Sequence, residues 1–82
     1  MVKVLYAPHA REKLARLARV GVTEDEVLRC ILEPQKTERG LYGRKVAQGY
    51  LTDKLVLRVV YEERDDNVLI ITMYPGERRR YG

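Results

Sequence analysis

The sequence has few of the residues on which many catalytic and structural sites depend. It contains one cysteine, Cys30, and one histidine, His9, and it has neither tryptophan nor phenylalanine. A single thiol cannot form an internal disulfide, and no cysteine and histidine cluster is present to bind zinc. We therefore predict no metal and no cofactor, and we expect Cys30 to be a small, semi-buried residue of the core.

Long apolar runs and phosphate-binding glycine loops are also missing. No apolar stretch approaches the roughly 18 residues of a membrane span, and no signal-peptide pattern follows Met1. Gly40 and Gly43 match neither the dinucleotide-binding nor the P-loop pattern, so they are interpreted as turn residues. These absences predict a cytoplasmic protein that does not associate with a membrane.

The charges are numerous and unevenly distributed. The chain has 82 residues and a net charge of +4, and we expect residues 1–82 to form one domain. Acidic residues concentrate in residues 23–33 and 62–67, whereas basic residues follow the first helix, the strands and the last residues. Because clustered arginines attract phosphates, RNA or an acidic protein is the expected partner.

Two helices are predicted in the first part of the chain. Apolar residues recur at helical spacing over residues 8–20, and Gly21 supplies a stop. Thr23 and Glu26 form a capping box at the start of the second helix, which Pro34 ends. The short connection predicts a helical hairpin.

The remaining sequence changes to strand-like alternation. The prediction is a helical part at about 8–33, a sheet at about 35–75 and a basic tail at 76–82 that is too short for a further helix. The expected fold class is α+β, with an N-terminal helical hairpin packed on one face of a three- to four-stranded antiparallel sheet. The other face has no evident cover. Val2–Tyr6 could form an edge strand, which leaves a homodimer open.

Several segments resemble a known family. They are His9-Ala10-Arg11, Gly21–Val27 with Pro34, Leu57–Tyr61 and Leu69–Pro75. Together they resemble domain-of-unknown-function family 4258, which is similar in element order to the RelE and BrnT ribonuclease toxins of toxin–antitoxin systems. The resemblance implies a RelE-like fold and a metal-independent endoribonuclease that acts on mRNA, including ribosome-bound mRNA. It also implies an acidic antitoxin as partner.

The resemblance also implies where the site lies. Such toxins carry basic side chains on neighbouring strands of an open sheet face, and an arginine and a tyrosine near the end of the chain. The matching residues here are Arg58, Arg44 or Lys45, one of Arg78, Arg79 and Arg80, and Tyr81. The predicted catalytic residues are Arg58, Lys45, Arg80, Tyr81 and His9, and the predicted nucleic-acid-binding residues are Arg44, Arg78 and Arg79.

Metal-free RNA cleavage needs a base, a cation at the phosphate and an acid. Arginine can only be the cation, so Lys45, Tyr81 or His9 would transfer protons. Alternatives remain for each residue. Arg58 either faces a ligand or pairs with an acid such as Glu62, His9 can simply pack or cap its helix, and the arginine run can be a solvated tail.

A different function class fits the same features. The domain could bind nucleic acid or a protein through its basic sheet face without breaking a bond. The small number of proton-transfer groups favours this alternative.

Overall fold

The structure is a computed structural model and describes residues 3–82. Val2, the first residue of the predicted strand Val2–Tyr6, lies outside this range. The strands and helices, in chain order, are β1 Lys3–Tyr6, α1 Pro8–Leu17, α2 Glu24–Leu32, β2 Lys36–Arg39, β3 Lys45–Tyr50, β4 Leu55–Arg64, β5 Asn67–Glu77 and α3 Arg78–Tyr81.

The sheet has five strands in the order β1-β5-β4-β3-β2. β1 runs parallel to β5, and the other pairs are antiparallel. The predicted antiparallel sheet of three to four strands is therefore wrong. After β1, the chain crosses over through the helices, so β1 can join the sheet beside the last strand in a parallel orientation. There Val4 and Tyr6 pack against the core.

The two long helices lie on one face of this sheet, each over different strands. α1 packs on β5, and α2 packs on β3 and β4. The predicted helical hairpin is wrong, because α1 and α2 pack on different strands of the sheet and not chiefly on each other. A 3-10 turn and Gly21, at a φ of 89°, redirect the chain between them. Thr23 then caps α2 by accepting a hydrogen bond from the Glu26 amide, which confirms one half of the predicted capping box. The Glu26 carboxylate lies 3.6 Å from Arg29 instead.

The core fills the space between the helices and the sheet. Its buried members include Ala10, Val22, Val27 and Cys30 from the helical layer, and Ala47, Leu57, Val59, Tyr61, Val68, Ile70 and Met73 from the sheet. On β4, Val56, Arg58 and Val60 alternate with the core residues and point away from the helices. Within residues 3–82, none of the helices has the length and apolar character that a bilayer crossing requires.

The end of the chain departs from the prediction. β5 continues through Pro75 and Gly76 to Glu77, although Pro75 was expected to end it. β1 pairs only with residues 67–70 of β5 and does not reach Pro75. Proline is tolerated there because no β1 carbonyl needs the backbone N–H that proline lacks. A helical turn, α3, follows where the tail was predicted to be too short for a helix. Its Arg78 amide donates to the Lys54 carbonyl at 2.8 Å, which turns the segment back over the sheet.

Candidate functional site

Arg58 lies at the centre of β4 on the sheet face that points away from α1 and α2. Its side chain is almost fully buried, with 6% of the residue exposed. Nε donates to the Tyr74 hydroxyl at 3.0 Å, Nη1 donates to the Gln48 amide oxygen, and Nη2 lies 3.3 Å from Glu38 Oε2. Each nitrogen of the guanidinium therefore has a partner within the chain.

The strand register explains why these side chains meet. Gln48 on β3 and Tyr74 on β5 lie directly opposite Arg58 on either side. Lys36 on β2 lies opposite Gln48, and Glu38 is two residues further along the same strand. Since residues two apart share a face, these five side chains form one polar row across four strands. We call Lys36, Glu38, Gln48, Arg58 and Tyr74 the Arg58 cluster.

The segment Arg78–Gly82 covers this cluster. The centroid of the Tyr81 ring lies 4.5 Å from Arg58 Cζ, a cation–π arrangement. The Tyr81 carbonyl accepts hydrogen bonds from Lys36 Nζ at 2.6 Å and from Gln48 Nε2 at 3.4 Å. The sheet face that the sequence left without a cover is thus partly closed by the chain itself.

Gly76 makes room for the Tyr81 ring. A Cβ at residue 76 would lie 2.7 Å from Tyr81 Cδ2 and closer still to Cε2. The ring therefore rests on the backbone of β5, in space that any larger residue would fill. This close approach is the structural reason for glycine at this position.

The charges of the cluster stabilise one another. Hydrogen bonds from Arg58 and Lys36 hold the pKa of the Glu38 carboxyl below its ordinary value, against a smaller opposing effect of burial. Burial lowers the pKa of Arg58, but hydrogen bonds with Tyr74 and Glu38 outweigh it and raise that pKa. Glu38 is therefore an anion and Arg58 a cation across the physiological pH range.

The cluster brings together the groups that phosphodiester cleavage requires. Arg58 can stabilise the extra negative charge of a five-coordinate phosphorus. Glu38 can accept a proton, and Lys36 Nζ, 3.3 Å from Glu38 Oε1, can donate one. Among residues 3–82, no group of three or more His, Cys, Asp or Glu side chains is placed to hold a metal ion.

Lys45 lies on the opposite face of the sheet from Arg58. It is opposite Tyr61, which belongs to the core beneath the helices. Its Nζ lies 2.5 Å from Glu63 Oε1, and this hydrogen bond raises the pKa of Lys45. The structure thus separates two of the predicted catalytic residues.

His9 is also separated from the cluster. It is exposed in the first turn of α1, and the next residue, Ala10, is buried in the core on the helical side of the sheet. Tyr81 is the one remaining proton-transfer candidate that the structure places beside Arg58, where its ring and carbonyl contact the cluster.

The predicted arginines divide into distinct environments. Arg78 lies over the Tyr50 ring at 4.2 Å, and Arg79 pairs with Glu77 at 2.8 Å while remaining 87% exposed. Arg80 is exposed on α3. All three arginines are exposed, whereas Arg58 is buried.

The predicted alternative ion pair between Arg58 and Glu62 is not formed. Glu62 instead accepts from Arg44 at 3.1 Å and from Arg64 at 3.0 Å, further along β4. These hydrogen bonds hold the pKa of Glu62 below its ordinary value. Arg44 is on the same sheet face as Arg58 but is engaged in this separate ion-pair group.

Sequence reasoning missed four members of the cluster: Lys36, Glu38, Gln48 and Tyr74. A signal for Gln48 was present, because Val46, Gln48 and Tyr50 are spaced two residues apart in strand-like sequence and therefore share a face. Glu38 had no such signal, since its approach to Arg58 depends on the register of β2 on β3.

Cys30 provides a test of how tightly α2 seals the core. Its Sγ donates to the carbonyls of Ala47 and Leu57 at 3.3 and 3.5 Å. Burial raises the pKa of the thiol to about 11. We expect native protein at pH 8 to react with a disulfide reagent at least ~100-fold more slowly than urea-unfolded protein, because the thiolate is scarce and covered. Similar rates in the two states would show that α2 opens readily.

Comparison of the chain with protein-family models, with curated proteins and with solved structures finds no match.

Proposed function

We propose that this chain is a metal-independent endoribonuclease that cleaves mRNA, in the manner of RelE- and BrnT-like toxins. The observation that supports it is the buried Arg58, held beside a carboxylate and an ammonium group on one sheet face. An arginine is rarely buried unless its charge has a functional role or a partner, and Arg58 is paired with Glu38. Such an activity belongs in the cytoplasm, where its substrate is found.

The proposed reaction uses three residues of the cluster. Glu38 removes the proton from a ribose 2′-hydroxyl, and the resulting oxygen attacks the adjacent phosphorus. Arg58 stabilises the charge that accumulates on the phosphorane oxygens. Lys36 donates a proton to the leaving 5′-oxygen, so the products are a 2′,3′-cyclic phosphate and a 5′-hydroxyl.

These roles change the earlier assignment of proton transfer. Lys45 and His9 have no part in the proposed reaction, because their side chains belong to the other side of the sheet. Tyr81 acts as a cover of the site, through contacts with Arg58 and Lys36. Arg79 and Arg80, both exposed, would bind flanking phosphates.

The proposal is tested by incubating a mixed-sequence mRNA with the protein in EDTA, with and without ribosomes. Cleavage that persists in chelator and leaves cyclic phosphate ends supports the proposal. Glu38→Gln, which keeps the size of the side chain and removes the base, should lose cleavage while retaining RNA binding. Intact mRNA under both conditions would contradict the proposal.

The pH dependence of cleavage distinguishes Glu38 from His9 as the base. The pKa of Glu38 lies below its ordinary value of 4.5, and the base is active when deprotonated. We therefore expect kcat/KM to show no acid limb between pH 8 and pH 5.5, measured on a short single-stranded RNA. A histidine base would instead lose activity below about pH 6.5. His9→Gln should leave the profile unchanged.

A toxin of this kind implies an acidic antitoxin. Exposed Arg79 and Arg80 beside the Arg58 cluster offer a basic surface for such a partner. The expected result is that a small acidic protein encoded beside this one co-purifies with it and suppresses cleavage. A salt-dependent association would be consistent with charge complementarity.

A second candidate function is RNA binding without cleavage. It is favoured by the complete set of internal partners around Arg58, which resembles a structural ion pair as much as a reactive one. In that case RNA would be retained in a salt-dependent manner, and no cyclic phosphate product would form.

A further inference from the structure

Two consecutive backbone carbonyls of the segment Arg78–Gly82 are held by side-chain donors of the sheet. The Tyr81 carbonyl accepts from Lys36 Nζ and Gln48 Nε2, and the Gly82 carbonyl accepts from Gln35 Nε2 at 2.6 Å. Gln48 is only 1% exposed, and its Nε2 also donates to Gln35 Oε1 at 3.3 Å, which holds the two amides side by side at this position. Three side chains thus direct N–H donors at a pair of neighbouring oxygens.

We propose that these donors form a phosphate subsite and that residues 81–82 occupy it as an internal competitor of RNA. The identity of the ligand as RNA rests on the proposed function, whereas the competition is a property of the site itself. In the closed state, carbonyl oxygens take the positions of phosphate oxygens, and the Tyr81 ring covers the guanidinium of Arg58. RNA binding requires the segment to leave.

The chemistry of the donors favours phosphate over the carbonyls. Lys36 carries a full positive charge, and the face of Arg58 lies under the same segment. A phosphate carries a negative charge, so its attraction to Lys36 and Arg58 includes a Coulomb contribution that the neutral Tyr81 carbonyl lacks. A phosphodiester can therefore displace the Tyr81 carbonyl, although the segment has the advantage of being attached to the site.

The segment Arg78–Gly82 has little local structure that would resist displacement. α3 is a single turn of four residues, which has little stability of its own. Arg79 and Arg80 are exposed. The segment is held by the Arg78 amide and the stacking of Arg78 on Tyr50 where it leaves β5, and by the side-chain donors to Tyr81 and Gly82 beyond that point. Rotation about the end of β5 at Glu77 would uncover the Arg58 cluster without breaking a strand pair.

Gly76 offers a way to weaken the cover alone. Alanine at this position places a Cβ against the Tyr81 ring, which can swing outwards because it is the end of a flexible side chain. Gly49→Ala is the matched control. It adds a Cβ to a strand on the opposite face, where the nearest atoms belong to Cys30 at 3.6–3.8 Å, an ordinary contact.

The experiment measures the Kd of each protein for a short single-stranded 2′-O-methyl RNA, which has no 2′-hydroxyl to attack. If the open state is about a tenth of the wild-type population, Gly76→Ala should bind about tenfold more tightly. Gly49→Ala should bind as the wild type does. Tyr81→Ala, which removes the ring without crowding the strand, should also bind more tightly, and circular dichroism should show that each variant is folded.

Equal or weaker binding by both folded variants, Gly76→Ala and Tyr81→Ala, would overturn the competition. The proposed function fails separately. If both variants bind the 2′-O-methyl RNA more tightly but the wild type does not cleave unmodified RNA, the competition is supported and the ribonuclease activity is contradicted. If the wild type cleaves RNA but neither variant binds more tightly, the ribonuclease activity is supported and the competition is contradicted.

Discussion

Replacing Arg58 with lysine is expected to lower kcat/KM for RNA cleavage by about 10²–10³-fold, the usual loss when one donor to a developing oxyanion is removed. Lysine keeps the charge but has no planar fork with which to reach Gln48, Tyr74 and Glu38 together. The measurement is cleavage of a short labelled single-stranded RNA in EDTA.

Arg19→Lys is the matched control for this substitution. Arg19 is exposed in the 3-10 turn that follows α1 and has no part in the proposed site, so the same change of side chain should alter kcat/KM less than about threefold. If Arg58→Lys is folded and cleaves RNA at the wild-type rate, Arg58 is not the centre of the site. A loss of cleavage with unchanged affinity for RNA supports a role in the transition state.

Leu57→Ala is expected to have the largest effect on stability, a loss of about 3 kcal/mol in the free energy of unfolding. Leu57 is only 2% exposed, and its carbonyl and side chain lie beneath α2 on the central strand. Truncation leaves a cavity beneath α2, which the surrounding residues close only in part. Urea unfolding followed by circular dichroism gives the change in free energy.

Leu41→Ala tests the same chemical change at the surface. Leu41 is 77% exposed in the turn between β2 and β3, so its loss should change the free energy of unfolding by no more than about 0.5 kcal/mol. Equal losses for the two variants would contradict the placement of Leu57 in the core.

The helices were predictable because their signals are local. The cap at Thr23, the apolar spacing of α2 and the stop at Gly21 each depend on residues within a few positions. The alternation along β4 is equally local in the sequence, and it puts Leu57 and Arg58 on opposite faces of the strand, as the structure shows.

The sheet topology was not predictable from these signals. Nothing in Lys3–Tyr6 specifies that its partner is β5, because a strand pair is defined by both members and the rest of the chain lies between them. The antiparallel sheet was predicted from strands that follow one another in the sequence. This prediction therefore missed the parallel pair that makes the sheet mixed.

Arg58 was named from the sequence as a candidate site residue, whereas the side chains that surround it were not. Arg58 is a charged residue between Val56 and Val60, whose side chains favour burial. The partners of Arg58 come from three other strands, so their identity follows from register. Lys45 was misplaced for the same reason, since its face depends on the pairing of β3 with β4.

The parallel pairing of β1 with β5 has a consequence for folding kinetics. The antiparallel strands β3, β4 and β5 are joined by short turns and can form early, whereas β1 must find an edge near the other end of the described chain. Contacts between such distant residues are slow to form because of the entropy of loop closure. Until β1 docks, the edge of β5 is free to pair with β1 of another molecule. We therefore expect β1 to be the strand that is exchanged if the protein forms domain-swapped dimers at high concentration.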